Sequence, residues 1–168
     1  MNNKQRKALM TWMKWKTRDI ESVLMLSLKT AFKPKIDRYG QHDLLGLDKP
    51  NSWLELFLHR LNQKIFKSAF LQKRKRLEVI SVYELDHESR YHFHCLVNNP
   101  IKKNGEAFSF PEMEKLSRHT WERTEHAKLN DGFDLQKIYS ARGKEYVFKF
   151  KKGLDKENVA WQNTYIAC

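Results

Sequence analysis

Cysteine is nearly missing from this chain: there are 2 in 168 residues, Cys95 inside an apolar alternation and Cys168 at the end. Two thiols so placed support no disulfide framework and no thiolate cluster for a structural zinc, so both are expected to be reduced. Long apolar runs are missing too. Nothing approaches the ~20 residues that span a bilayer, and the basic start from Met1 to Lys7 is not followed by the apolar core of a secretory signal. The expected location is therefore cytoplasmic and nucleoid-associated, without a membrane partner. Acidic residues are in deficit, with 20 Asp and Glu against 32 Lys and Arg, a formal charge of +12. That imbalance calls for a polyanionic partner, nucleic acid first and anionic membrane second. The length suits one domain over residues 1–168 and leaves no room for a separate motor domain.

What is present centres on the stretch from Tyr91 to Val97. It alternates so that His92 and His94 leave one side of a strand while Tyr91, Phe93, Cys95 and Val97 leave the other. Histidines two apart on a strand have Cα atoms roughly 6–7 Å apart and share a face, so both can reach one cation. A His-x-His pair alone is more often the solvated face of a sheet. Here, however, residues 77 to 85 read as a preceding strand and Asp86 to Arg90 as the turn of a hairpin. A turn centred on His87 to Ser89 puts Glu84 opposite His92 and Val82 opposite His94. Glu84 then joins the histidines, while Val79, Tyr83 and Leu85 line up with Val97, Phe93 and Tyr91 to pack on helices. Two imidazoles and a carboxylate suit manganese, magnesium with open water positions, or zinc. Cys95 falls on the apolar side and reads as a small buried hydrophobe.

Other elements follow in chain order. Residues 1–20 interleave Trp12 and Trp15 with Lys and Arg, the pattern of a basic amphipathic helix or of a strand-stacking surface. Ser22 to Ala31 alternates as a strand with Leu24, Leu26 and Leu28 on one buried side. The pattern lapses from Phe32 to Lys49, punctuated by Pro34, Gly40, Gly46 and Pro50, as in a long loop. Ser52 to Glu55 reads as a capping box opening a helix that runs to about Lys73, with Trp53, Leu54, Phe57, Leu58, Leu61, Ile65, Ala69 and Phe70 on its apolar face. Its end, from Lys73 to Arg76, is a basic run. Asn98 to Ala107 is a loop. Ser109 to Glu112 opens a second helix carrying Met113, Leu116, Thr120 and Trp121 on one stripe, with His119 and His126 toward solvent. Asn130 to Gly132 is a turn, Phe133 to Tyr139 a strand and Ala141 to Lys152 a helix ended by Gly153; 154–168 forms a C-terminal tail without strong pattern.

On that last helix Tyr146 and Lys149 share a face, with Arg142 and Phe150 beside them. An isolated pair of this kind is ordinarily an amphipathic tyrosine with a solvated lysine. A phenol needs a cation or hydrogen bonds to lower its pKa of about 10 before it becomes a nucleophile, and a phosphodiester needs its oxygens neutralised. A two-histidine metal site with Tyr146 and Lys149 supplies both.

With these residues in view, the chain resembles the HUH endonucleases, in particular the rolling-circle replication initiators of plasmids and small phages. The resemblance runs over roughly residues 22 to 153. Met25 to Thr30 looks like the family's first strand motif, Glu84 with His92 and His94 like its metal motif, and Tyr146 to Lys149 like its nucleophile motif. It implies an α+β domain with a central antiparallel sheet of about five strands. It also implies one divalent ion, manganese or magnesium, held by His92, His94 and Glu84, with His87 as rival third ligand. Tyr146 is implied as the nucleophile that leaves a 5′-phosphotyrosine and a free 3′-hydroxyl, with Lys149 as its cationic companion; Tyr139 is the competing tyrosine. Phe150 stands where two-tyrosine members carry a second tyrosine, so a single-tyrosine enzyme is implied. The expected partners are single-stranded DNA or an origin hairpin and a separate helicase. A single-strand transposase or small relaxase would share the chemistry. A non-catalytic DNA-binding protein and a zinc-stabilised structural domain are the rivals from other classes.

Overall fold

The computed structural model describes residues 11, 23–32, 48–73, 75–85, 90–138, 159–160 and 163–165. The described elements are β1 (Val23–Lys29), α1 (Asp48–Phe66), α2 (Ser68–Lys73), β2 (Val79–Leu85), β3 (Tyr91–Asn98), α3 (Phe110–Glu122) and β4 (Phe133–Ile138). The four strands form one antiparallel sheet in the order β2-β3-β1-β4. The architecture is α+β, as the alternation of strand and helix patterns implies. About five strands were expected; among the described residues the sheet has four. Its β2 edge is partly covered instead, because Val159 and Tyr165 bridge to Val82 and Val79 and the Ala160 N–H donates to the Ser81 carbonyl at 2.9 Å. That stretch lies in the tail, where no strand pattern is written. Its pairing comes from the open backbone groups of an edge strand.

The sheet's two faces differ because side chains alternate along each strand. Leu24, Leu26, Leu28, Phe93, Cys95, Val97, Phe133 and Leu135 point to one side and join Leu54, Phe57, Leu58, Leu61, Met113 and Trp121 in a single core. Phe57 meets Trp121 edge to face at 5.6 Å between ring centroids. The opposite face carries Ile80, Val82, Leu96, Val23 and Met25, all buried, followed by Ser27, Lys29, Glu84, His92 and His94. β1 was expected to bury one face, and the burial of Val23 and Met25 corrects that: its first half is buried on both, because on the second face these residues lie in one buried apolar patch with Ile80, Val82 and Leu96.

The first helix also departs from expectation. It begins at Asp48, a turn earlier than the predicted start, so Ser52 lies inside it rather than at its N-cap. Pro50 falls in the first turn, where its fixed φ suits a helix and its missing N–H costs no bond. The predicted continuous helix to Lys73 breaks at Lys67, which takes a left-handed φ of 50° and separates α1 from α2. Asn62 then ties α1 to the sheet: its amide donates to the Leu58 carbonyl at 2.8 Å and its oxygen accepts from the Leu77 N–H at 2.6 Å. The α3 prediction holds in detail. Ser109 caps the helix, its hydroxyl accepting from the Glu112 N–H while the Glu112 carboxylate accepts from the Ser109 N–H at 2.8 Å. The turn before β4 places Asn130 at φ 69° and leaves no room for a side chain at Gly132, where a Cβ would run into the Lys128 carbonyl.

Candidate metal centre

The hairpin register is the one the alternation predicts. Glu84 pairs with His92, Val82 with His94, Tyr83 with Phe93 and Leu85 with Tyr91. Directly opposed residues of an antiparallel pair share a face, so Glu84, His92 and His94 project together, away from α1 and α3. The Glu84 Oε1 lies 3.2 Å from His94 Nε2 and 3.7 Å from His92 Nδ1, and the imidazole centroids are 4.3 Å apart. One donor atom from each residue falls within 4.8 Å of the other two. A cation with bonds of about 2.1 Å separates neighbouring ligands by about 3–3.5 Å, so this donor set closes on a divalent ion with small side-chain adjustments. The side chains of His92 and His94 are 13% and 16% exposed and that of Glu84 35%, so the group is sheltered yet open on one side. Hard carboxylate with borderline imidazole fits manganese, magnesium with waters, or zinc.

β1 supplies the next layer. Ser27 lies opposite His94 in the β1–β3 register, and its Oγ is 3.2 Å from His94 Nδ1. This contact lets His94 serve two tautomers. With the proton on Nε2, the ring donates to the Glu84 carboxylate and Nδ1 accepts from the Ser27 hydroxyl; a cation held by Nε2 would leave the proton on Nδ1, to donate to the same hydroxyl, which can play either role. Lys29 occupies the position opposite His92 and puts a cation on the same face. Neither role was read from sequence. The alternation of β1 shows that Ser27 and Lys29 share a face, but nothing local says that β1 lies beside β3.

Cys95, one residue past His94, points the other way into the core, fully buried, with the Ser81 hydroxyl donating to its sulfur at 3.4 Å. Burial pushes its thiol up to about 12, so it offers no thiolate to a metal on the opposite face. His119 and His126 are both exposed, as expected; His126 also packs its ring 4.5 Å from that of Trp53. The structure thus brings together Glu84, His92 and His94. Tyr146, Lys149, the competing Tyr139 and the rival ligand His87 lie outside the described residues, as do the basic segment 1–20 apart from Thr11 and the predicted helix from Ala141 to Lys152. Among the described residues no helix is long and apolar enough to cross a membrane. Compared with known proteins, the chain matches no family model, no curated protein and no solved structure.

Proposed function

We propose that this protein is a divalent-metal-dependent enzyme that nicks and rejoins a single DNA strand by transesterification. The observation that carries the reading is the Glu84, His92 and His94 group, assembled from two strands on the face of an antiparallel sheet opposite α1 and α3. The formal charge of +12 and the resemblance of three segments to HUH endonuclease motifs support it. In the proposed reaction the Tyr146 phenolate attacks the scissile phosphorus. The phenol gives its proton to water, a bond forms between the phenolic oxygen and phosphorus, the bond from phosphorus to the 3′ oxygen breaks, and that oxygen takes a proton back from water to leave as a hydroxyl. Lys149 stabilises the phenolate and the charge on the phosphate. A divalent ion held by Glu84, His92 and His94 would polarise the scissile phosphate. Rejoining is the same displacement reversed, with a 3′-hydroxyl attacking the phosphotyrosine. Initiation of rolling-circle replication is the biological role this chemistry suits first, and a single-strand transposase or relaxase would use the same first step.

The test incubates the protein with pooled labelled single-stranded oligonucleotides from its own element, with manganese or with chelator, and separates products on a denaturing gel. A manganese-dependent protein-linked DNA band is expected that is lost in Tyr146→Phe and kept in Tyr139→Phe. Salt-sensitive DNA binding with no adduct on any oligonucleotide would overturn the catalytic reading in favour of a DNA-binding module.

A further inference from the structure

The layer of α1 and α3, on the opposite side of the sheet from the metal centre, carries a group of cations that form no ion pair with an acidic residue among the described residues. Arg60 and Lys64 lie one turn apart on α1, Lys67 follows at its end, and Arg123 caps the C-terminus of α3 beside them. Two hydrogen bonds bring the helices' cations together: Arg60 Nη1 donates to the Arg123 carbonyl at 2.9 Å, and Lys64 Nζ donates to Thr120 Oγ1 at 3.0 Å. Thr120 and Arg123 are a turn apart on α3, as are Arg60 and Lys64 on α1, so the two pairs face one another where the helices meet, and Lys67 extends the row to about two turns, ~10 Å, from Arg60. Among the described residues no carboxylate forms an ion pair with any of the four; the ion pairs of Glu112, Glu114 and Asp131 go to Lys102, Arg118 and Lys128.

A plainer account is that these cations serve the C-terminal end of the α3 dipole. That end amounts to about half a negative charge. It accounts for Arg60 donating to the Arg123 carbonyl and leaves most of the charge on Arg60, Lys64 and Arg123 uncompensated. Arg60 also keeps further guanidinium donors, since it has five N–H groups and one is committed here. Consistent with crowding, the Lys64 ammonium is held below its ordinary value by burial first and then by Arg123 and Arg60.

We propose that Arg60, Lys64, Lys67 and Arg123 form a second nucleic-acid site that grips the phosphodiester backbone on the helix layer, separate from the metal centre. The proposal rests on nucleic acid being the partner but not on nicking. A sheet and a helix layer together are about 20 Å thick, so one short oligonucleotide cannot occupy both sites. The site therefore takes a second segment of the same DNA. An anionic bilayer fits less well, because α1 buries Leu54, Phe57, Leu58 and Leu61 in the protein core, and the exposed leucines of this layer, Leu56 on α1 and Leu71 on α2, make no continuous apolar face to insert.

The experiment measures DNA affinity against salt by fluorescence anisotropy, for a long single strand and for a short oligonucleotide that fills only the metal centre. The variant Lys64→Gln/Lys67→Asn/Arg123→Gln spares Arg60, and Lys103→Gln/Lys115→Gln/Lys137→Gln removes equal charge elsewhere. On the long strand, the slope of log affinity against log salt should fall by about 2 units in the first variant, at ~0.7 per lost contact on single strands. It should stay unchanged in the second, and short-oligonucleotide binding should be unaffected in both. Lys67→Asn alone tolerates the left-handed backbone and should lower the slope by ~0.7, so the proposal stays testable if the triple variant folds poorly. An unchanged slope, or an equal fall in the control variant, overturns the proposal. Binding to phosphatidylserine vesicles that the triple variant weakens, with an unchanged DNA slope, also overturns it. DNA binding that the triple variant weakens, in a protein that forms no tyrosine adduct, would leave this site standing while removing the nicking reaction.

Discussion

Replacing Ser27 with alanine tests the metal centre at a residue that touches no metal. In the metal-bound state the His94 Nδ1–H needs an acceptor, and the Ser27 Oγ at 3.2 Å is the one described. Removing it strands a sheltered N–H, which costs about 1–3 kcal/mol. Two factors pull the expected loss toward the lower half of that range: the His94 side chain is 16% exposed, so water can partly replace the hydroxyl, and the metal-free state also loses its Ser27 hydrogen bond. A loss of about 1.4 kcal/mol corresponds to roughly tenfold weaker metal binding, at the low end of what losing an orienting partner costs a metal ligand. Titration calorimetry with manganese ion measures this directly on wild type, Ser27→Ala and Ser27→Thr. Threonine keeps the hydroxyl and should restore most of the affinity, whereas loss of strand packing alone would not be rescued selectively. Unchanged manganese affinity in Ser27→Ala would refute the tautomer argument. Wild-type protein that takes up neither manganese nor zinc would refute the site.

The other expectations concern the scaffold. Gly132→Ala drives a methyl into the Lys128 backbone carbonyl, so it should lower stability by more than about 1 kcal/mol in urea unfolding, with Asn130→Ala a milder loss at its left-handed position. Glu112 is held down to about 2 by hydrogen bonds from Lys102 and from the Ser109 cap. Its folded-state value lies below the ordinary one, so its stabilising effect is complete above about pH 4.5 and lost as pH falls toward 2. The gap in melting temperature between wild type and Glu112→Gln should accordingly close across that window. Cys95 should resist thiol reagents in the native protein at neutral pH and react once it is unfolded; rapid native labelling would contradict its burial in the core.

Much of this protein was legible locally. The Tyr91 to Val97 alternation and the polar turn before it were enough to pair Glu84 with His92, because a side-chain period of two makes any one-residue slip bury imidazoles and expose Phe93. The Ser109 cap was legible for a similar reason, since a capping box is satisfied within four residues. The Ser52 start had the same letters and failed. A box can form only where the chain first enters a helix, and Pro50 already sits helical two residues earlier.

By itself, then, the sequence determined the elements whose hydrogen bonds and alternation close over a few residues: the hairpin, the α3 cap, the turn at Gly132 and, through the hairpin, the two imidazoles and the carboxylate that face one another. Only the tertiary structure decided that β1 lies between β3 and β4, which sets Ser27 against His94 and Lys29 beside His92. It alone laid Val159 and Tyr165 along the β2 edge and drew Arg60 and Lys64 against the end of α3. Contacts of this second kind join residues some 56 to 115 apart, and they are selected by which buried faces and open backbone edges can be satisfied together, a condition that no short stretch of the chain contains.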